Sequence, residues 1–125
     1  MKLPQSVYFG NAAADQLRGT GWFVGQFVAV EPRRQTAVEL KWGLHHDGEM
    51  RARGPEAVAD ATTVSILIRG AMRLAFYADG SECAITMQRE GDYVIFGPGV
   101  VHSWEAVGET LVVTVRFPSI KRPQA

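Results

Sequence analysis

The sequence predicts an all-β protein, a sandwich or barrel of about eight short strands with one minor helix. Three observations carry this. Segments rich in β-branched and aromatic residues recur about every ten residues along most of the chain. Glycine, proline and aspartate separate them. No long segment of helical period lies between them, which excludes alternating βαβ units.

The elements follow in order. Asn11 is placed to cap a short helical turn over 12–17 that Gly19 ends. Strands are expected at 22–30 (WFVGQFVAV), 37–45 (AVELKWGLH), 63–68 (TVSILI) and 72–77 (MRLAFY). Four more are expected at 82–88 (ECAITMQ), 92–96 (DYVIF), 102–107 (HSWEAV) and 110–117 (TLVVTVRF). Their breaks fall at Pro32, Arg69-Gly70, Ala78-Asp79-Gly80, Arg89-Glu90-Gly91, Gly97-Pro98-Gly99 and Gly108. Residues 47–60 mix charges, glycines and a proline without alternation and read as a long loop, with a second turn at 55–59. Loops of that length often border a site. Residues 1–20 read as an N-terminal extension, and the tail 121–125, with Pro123, as frayed.

Composition bounds the function. A chain of 125 residues suits one domain with a real core. Thirteen basic and thirteen acidic residues balance to zero net charge, so there is no electrostatic footprint for nucleic acid or an anionic membrane. Arg33-Arg34 and Arg51/Arg53 are the basic clusters and read as solvated loop. One cysteine, Cys83, forms no intrachain disulfide and reads as a small buried or half-buried hydrophobe. The N-terminus lacks the apolar core of a signal peptide, and no segment is long and apolar enough to span a bilayer. A cytoplasmic protein is expected. The sequence holds no nucleophile elbow, Walker loop, dinucleotide fingerprint or CxxC pair, so those chemistries are not indicated.

Chemistry concentrates in GDYVIFGPGVVHSWE, which runs from Gly91 to Glu105. An apolar run stops at a rigid Gly97-Pro98-Gly99 turn and His102 follows. This stretch resembles the second motif of the cupin superfamily: Gly91 fits its first glycine, Gly99 its second and His102 its histidine. The proline falls one place late, at Pro98, and Ala106 stands where the motif closes on asparagine. The run Ile66-Leu67-Ile68-Arg69-Gly70 followed by Met72–Phe76 is similar to the core of the first motif, but Thr63 occupies its glutamate position. Its His-x-His pair is absent; His45-His46 occurs earlier, before the 47–60 loop. The resemblance covers roughly residues 36–118 and is similar to small stand-alone cupins. It implies a jelly-roll barrel, frequent dimerisation and, in the metal-binding members, two or three histidines and a carboxylate holding Fe, Mn, Ni or Zn.

The candidate ligands are therefore His45, His46, Glu49 and His102. Three protein ligands are a reasonable minimum for a catalytic metal. Alternation through 37–46 groups Val38, Leu40, Trp42, Leu44 and His46 on one apolar face, which points His46 inward. The resemblance favours His45 instead, and a bulge at Gly43 would reverse the phase. Asp47 and Glu49 share the face of His45, and Glu49 has the longer reach. Trp104 shares a face with His102. Trp42, Arg73, Tyr93 and Trp104 are candidates for a ligand pocket, each also readable as core or solvated surface. The readings that follow are a binding protein for a small organic molecule, with a divalent metal in the barrel as an accompaniment; a metal-dependent dioxygenase, isomerase or lyase; and a metal-free structural or interaction domain. A homodimer is expected for each, because the apolar strand 22–30 would need cover.

Overall fold

A computed structural model describes residues 2–51 and 54–120. Helix α1 (Ala12–Asp15) begins as expected: Asn11 is extended and its side chain accepts from the Ala14 N–H at 3.0 Å. It spans one turn and buries no residue, so the cap rather than packing holds it. Six strands follow: β1 (Trp22–Val24), β2 (Glu39–His45), β3 (Thr62–Ala78), β4 (Ser81–Met87), β5 (Tyr93–Phe96) and β6 (Val101–Phe117). Their order is β1-β2-β6-β3-β4 with β5 beside β3, and every pairing is antiparallel.

Eight expected strands become six because β3 and β6 run through glycines where breaks were expected. Gly70 and Gly108 take φ of +86° and +74°, and the β3–β6 register shifts on both sides of Arg69. The pair bends there instead of ending. A side chain at Gly70 would put its Cβ 2.3 Å from the Glu109 carbonyl oxygen and 2.7 Å from Thr110 Cα. Fully buried Thr110 ties this corner, its hydroxyl donating to the Ala71 carbonyl at 2.9 Å and accepting from the Ala71 N–H at 3.3 Å. The first half of β3 lies between β5 and the end of β6, the second half between β4 and the start of β6. The inner faces of both halves then meet in a core of Leu67, Met72, Leu74, Met87, Ala106 and Val112.

Other expectations need correction. β1 covers three residues rather than the whole of 22–30, because the chain turns beyond Val24: the Val28 N–H bonds the Gly25 carbonyl at 3.1 Å. β1 pairs with β2 of its own chain. The described residues on either side of 52–53 in the 47–60 segment strap onto β6 rather than forming a free loop. The Arg51 N–H bonds the Trp104 carbonyl at 3.3 Å, and Glu56 and His102 exchange backbone bonds of 3.0 and 2.9 Å. The turn expected at 55–59 gives way to this bridge, which covers the edge of β6. Cys83 is exposed, because β4 is an edge strand whose residues face solvent except at Met87. Arg53 and the tail 121–125 lie outside the described residues.

Candidate functional site

The face of β2 that points inward is the polar one. Glu39, Lys41, Gly43 and His45 stand opposite Arg116, Thr114, Val112 and Thr110 of β6. Arg116, Thr114 and Val112 in turn stand opposite Thr63, Ser65 and Leu67 of β3. Residues directly opposite share a face, so these three strands present one continuous inner surface. Leu40, Trp42, Leu44 and His46 fall on the other side. Alternation was read correctly, but the apolar face of β2 is not the inner one, because its inner face borders a largely polar cavity beside the core.

That cavity has a volume of about 70 Å³. His45, His102, Arg51, Lys41 and Arg116 line it, with the hydroxyls of Thr63, Ser65 and Thr114 and an apolar wall that includes Phe96 and Trp104. The two imidazoles come from different elements: His45 ends β2 and His102 opens β6, just past the glycine turn. Each rests on an aromatic ring, His45 on Trp104 at 4.4 Å and His102 on Phe96 at 4.5 Å between centroids.

Both imidazoles are anchored through Nδ1. The His45 Nδ1 pairs with the Glu49 carboxylate, and this hydrogen bond is the main reason the Glu49 carboxyl lies below its ordinary range. His102 Nδ1–H donates to the Val100 carbonyl at 3.1 Å. A carbonyl only accepts, so the His102 proton sits on Nδ1 and the Nε2 lone pair is left for another partner. Burial pushes the His102 pKa down, the Val100 bond opposes this, and the charges of Arg51 and Arg116 push it further down. Burial therefore favours the neutral form of His102, and the Val100 bond selects its Nδ1–H tautomer. The turn before it does two jobs: the Gly99 N–H ties to the Val58 carbonyl at 2.8 Å, and Val100 supplies the carbonyl that orients the ring.

At the other end of the cavity Glu39 is fully buried. It accepts from Arg116 at 3.3 Å, from the Ser119 hydroxyl at 3.1 Å and from the Ile120 N–H at 3.1 Å. Arg116 Nε also donates to Thr63 at 3.3 Å. Both Arg116 and Lys41 lie near the Trp22 ring, at 5.1 and 5.6 Å from its centroid. From the sequence, mid-strand Arg116 was expected to face solvent, an inward arginine there suiting a carboxylate or phosphate ligand, and it lines the cavity instead. Glu39 and Lys41 had not been singled out. Their alternation with Gly43 and His45 was the signal, since it puts four non-aliphatic residues in phase on one strand.

The remaining candidates lie away from the cavity. His46 is exposed and pairs with Glu109 at 3.0 Å, which raises its pKa. Trp42 faces outward from β2, opposite Val113. Arg73 is exposed and bonds Glu82 at 3.1 Å. Tyr93 lies on the outer side of β5 and is 67% exposed. Asp47 accepts from the Gly108 N–H at 2.7 Å, bracing the β6 bend.

Among the described residues, no three His, Cys, Asp or Glu side chains converge as a metal site would need. Two imidazoles reach the cavity, but Glu49 is engaged on His45 Nδ1 and so orients that ring from behind. The residues as placed do not fit a three-ligand set.

No protein-family model matches the sequence, and no curated protein does. Solved structures match in shape. KdgF from Halomonas sp. superposes with a TM-score of 0.57 at 14% identity, over 70% of this chain and 74% of that one. A cupin-2 domain protein from Shewanella frigidimarina gives 0.53 at 22% identity, over 66% and 72%. Bacillus subtilis oxalate decarboxylase, which has Mn(II) centres, gives 0.59 at 17% identity over 70% of this chain. The match spans only 22% of that longer protein. This chain has the cupin fold. Within that fold, His102 stands at the histidine of the second motif and lines the barrel cavity. Thr63, at the glutamate position of the first motif, is buried and also lines it, accepting from Arg116 where a carboxylate would have sat.

Proposed function

We propose that this cupin-fold protein binds a small polar organic molecule inside its barrel. The observation that carries the reading is the cavity itself: hydroxyls, cations and two Nδ1-anchored imidazoles converge on one space. A static constellation of this kind recognises a ligand by hydrogen bonds, with Trp104 and Phe96 as its apolar wall. The test is a thermal-denaturation screen against small acids, amides, polyols and amino acids. A true ligand at a hundred times its Kd stabilises the fold by about 2.7 kcal/mol. A screen in which no compound raises Tm overturns the reading.

A second reading is a metal-dependent dioxygenase, isomerase or lyase. It is supported by the Nδ1 anchoring of both rings, the arrangement that orients ligating histidines. It lacks a third side chain among the described residues. Elemental analysis of untagged protein, loaded in turn with Fe, Mn, Ni and Zn and set beside His102→Ala, decides it. Stoichiometric metal lost in the variant supports it, and metal-free protein after loading sinks it.

Two further readings go with the first. The outer side of the β2–β6–β3–β5 surface is apolar, with Leu44, Ile68, Tyr93 and Ile95 exposed, and we assign it to a homodimer. The exposed, unpaired Cys83 supports a cytoplasmic location.

A further inference from the structure

The polar part of the cavity lining is rich in donors. Lys41, Arg51 and Arg116 line it together with the hydroxyls of Thr63, Ser65 and Thr114, and among the described residues no aspartate or glutamate does. The carboxylates that pair with the two arginines, Glu56 and Glu39, are not among the lining residues. Each arginine is thus paired with an acid that does not itself line the cavity.

One guanidinium N–H has no acceptor among the described residues. Arg51 Nε is buried and makes no hydrogen bond among the described residues. A buried cationic donor without a partner is costly, and buried polar groups almost always find one. Its own carboxylate, Glu56, meets the guanidinium at the other edge, through NH2. Arg51 also lines the cavity, so a small shift of its guanidinium would present Nε to an acceptor bound there.

Geometry puts the same charge bias at the other positions. Arg51 and Arg116 both line the cavity, beside His102 and Thr63 respectively. Lys41 and Arg116 gather at the Trp22 ring. Arg116 also lines a second pocket, with Glu56 and Ser119. Volume limits the ligand further. A water takes about 10–15 Å³ by this measure, so a cavity of about 70 Å³ holds a molecule of about five to seven heavy atoms.

We propose that the cavity takes a small organic carboxylate, a mono- or diacid of about two or three carbons, one oxygen of which accepts from Arg51 Nε. This rests on the small-molecule reading above and names its ligand class. The remaining carboxylate oxygen faces the hydroxyl and cationic donors, and His102 Nε2 is left to accept a proton-bearing substituent.

The experiment is titration of acetate, lactate and malonate against their neutral counterparts acetamide, lactamide and malonamide. Binding is read by calorimetry and by the shift of the Trp104 indole resonance. At least one acid is expected to bind and shift Trp104, with its amide weaker by about tenfold or more. Arg51→Gln and Arg51→Lys are expected to weaken that acid by a similar factor, the lysine variant testing Nε itself rather than charge. Their melting temperatures separate lost binding from lost fold. Amides that bind as well as the acids overturn the carboxylate class and leave the small-molecule reading standing. Acids that bind equally to both Arg51 variants overturn the assignment of Arg51. If neither acids nor amides bind, the proposal falls, and a positive polyol or amino-acid hit from the wider screen would still preserve the more general reading.

Discussion

Gly43 shows how one missing side chain shapes a site. His45 folds back along the inner face of β2, and a Cβ at Gly43 would lie 3.1 Å from His45 Nε2 and 3.0 Å from the Val112 carbonyl oxygen. The carbonyl belongs to a paired strand and cannot move, so the imidazole must. Gly43→Ala is expected to displace the ring from Trp104, weaken ligand binding, and destabilise the fold by about 1–2 kcal/mol. The His45 ring resonances check this, and unchanged shifts would disprove it. His102 makes a second prediction. Its folded pKa lies below the ordinary 6.5, so the unfolded chain binds more protons and stability rises with pH across that interval. Acidification from pH 6.5 down through the folded pKa is then expected to lower Tm. His102→Gln should flatten this slope between about pH 5 and 6.5, above the main carboxylate range. His46 has the opposite sign, since its raised pKa adds stability at low pH that is lost as pH rises through its folded value. It is fully exposed, so His46→Gln should leave the acid slope nearly unchanged. An equal slope in wild type and His102→Gln would refute the assignment.

At the level of elements, the decisive feature is the shared bend of β3 and β6. The residues on either side of Gly70 line the same cavity, Thr63 and Ser65 from one half and Met72 and Leu74 from the other. Straight strands would set those faces apart. Gly70→Ala combines a φ of +86° with a backbone clash at 2.3 Å. We expect a loss of about 2 kcal/mol or more, or about 5–10 °C in Tm. Thermal denaturation that matches wild type would show that the corner relaxes. The strap over 48–58 works with this bend, since its backbone bonds to β6 hold Arg51 at the cavity and His102 against Glu56.

For the whole molecule, the inversion of apolar and polar faces matters most. Leu40, Trp42, Val64, Ile66, Val113 and Val115 lie on the outer face of three adjacent strands, beside exposed Ile95 and Tyr93. An apolar face on the outside of a barrel needs cover, and the homodimer proposed above would supply it with one self-complementary patch. Light scattering coupled to gel filtration is expected to give about twice the 13.7 kDa chain mass. The pair Leu44→Glu and Ile95→Lys should halve it while leaving cavity binding intact. A wild type that is monomeric at high micromolar concentration would dismiss the dimer.

Strand-rich composition, glycine punctuation and the spacing from Gly91 to His102 were enough to recognise the fold, because each is a local preference of a few neighbouring residues. The Asn11 cap and the turn before His102 were legible for the same reason. Other features depended on the closed barrel. Which face of β2 points inward is set by what stands across the interior, and period-two alternation carries no sign for that choice. Whether Gly70 and Gly108 end strands or bend them depends on the partner strand continuing beside each. The Glu39–Arg116 pair joins residues 77 positions apart, and the anchoring of His102 on Val100 needs the turn already closed. The sequence by itself determined a β-rich chain with a histidine aimed by a rigid turn. Tertiary structure alone decided which polar groups share the cavity, because only strand register brings distant side chains onto one face.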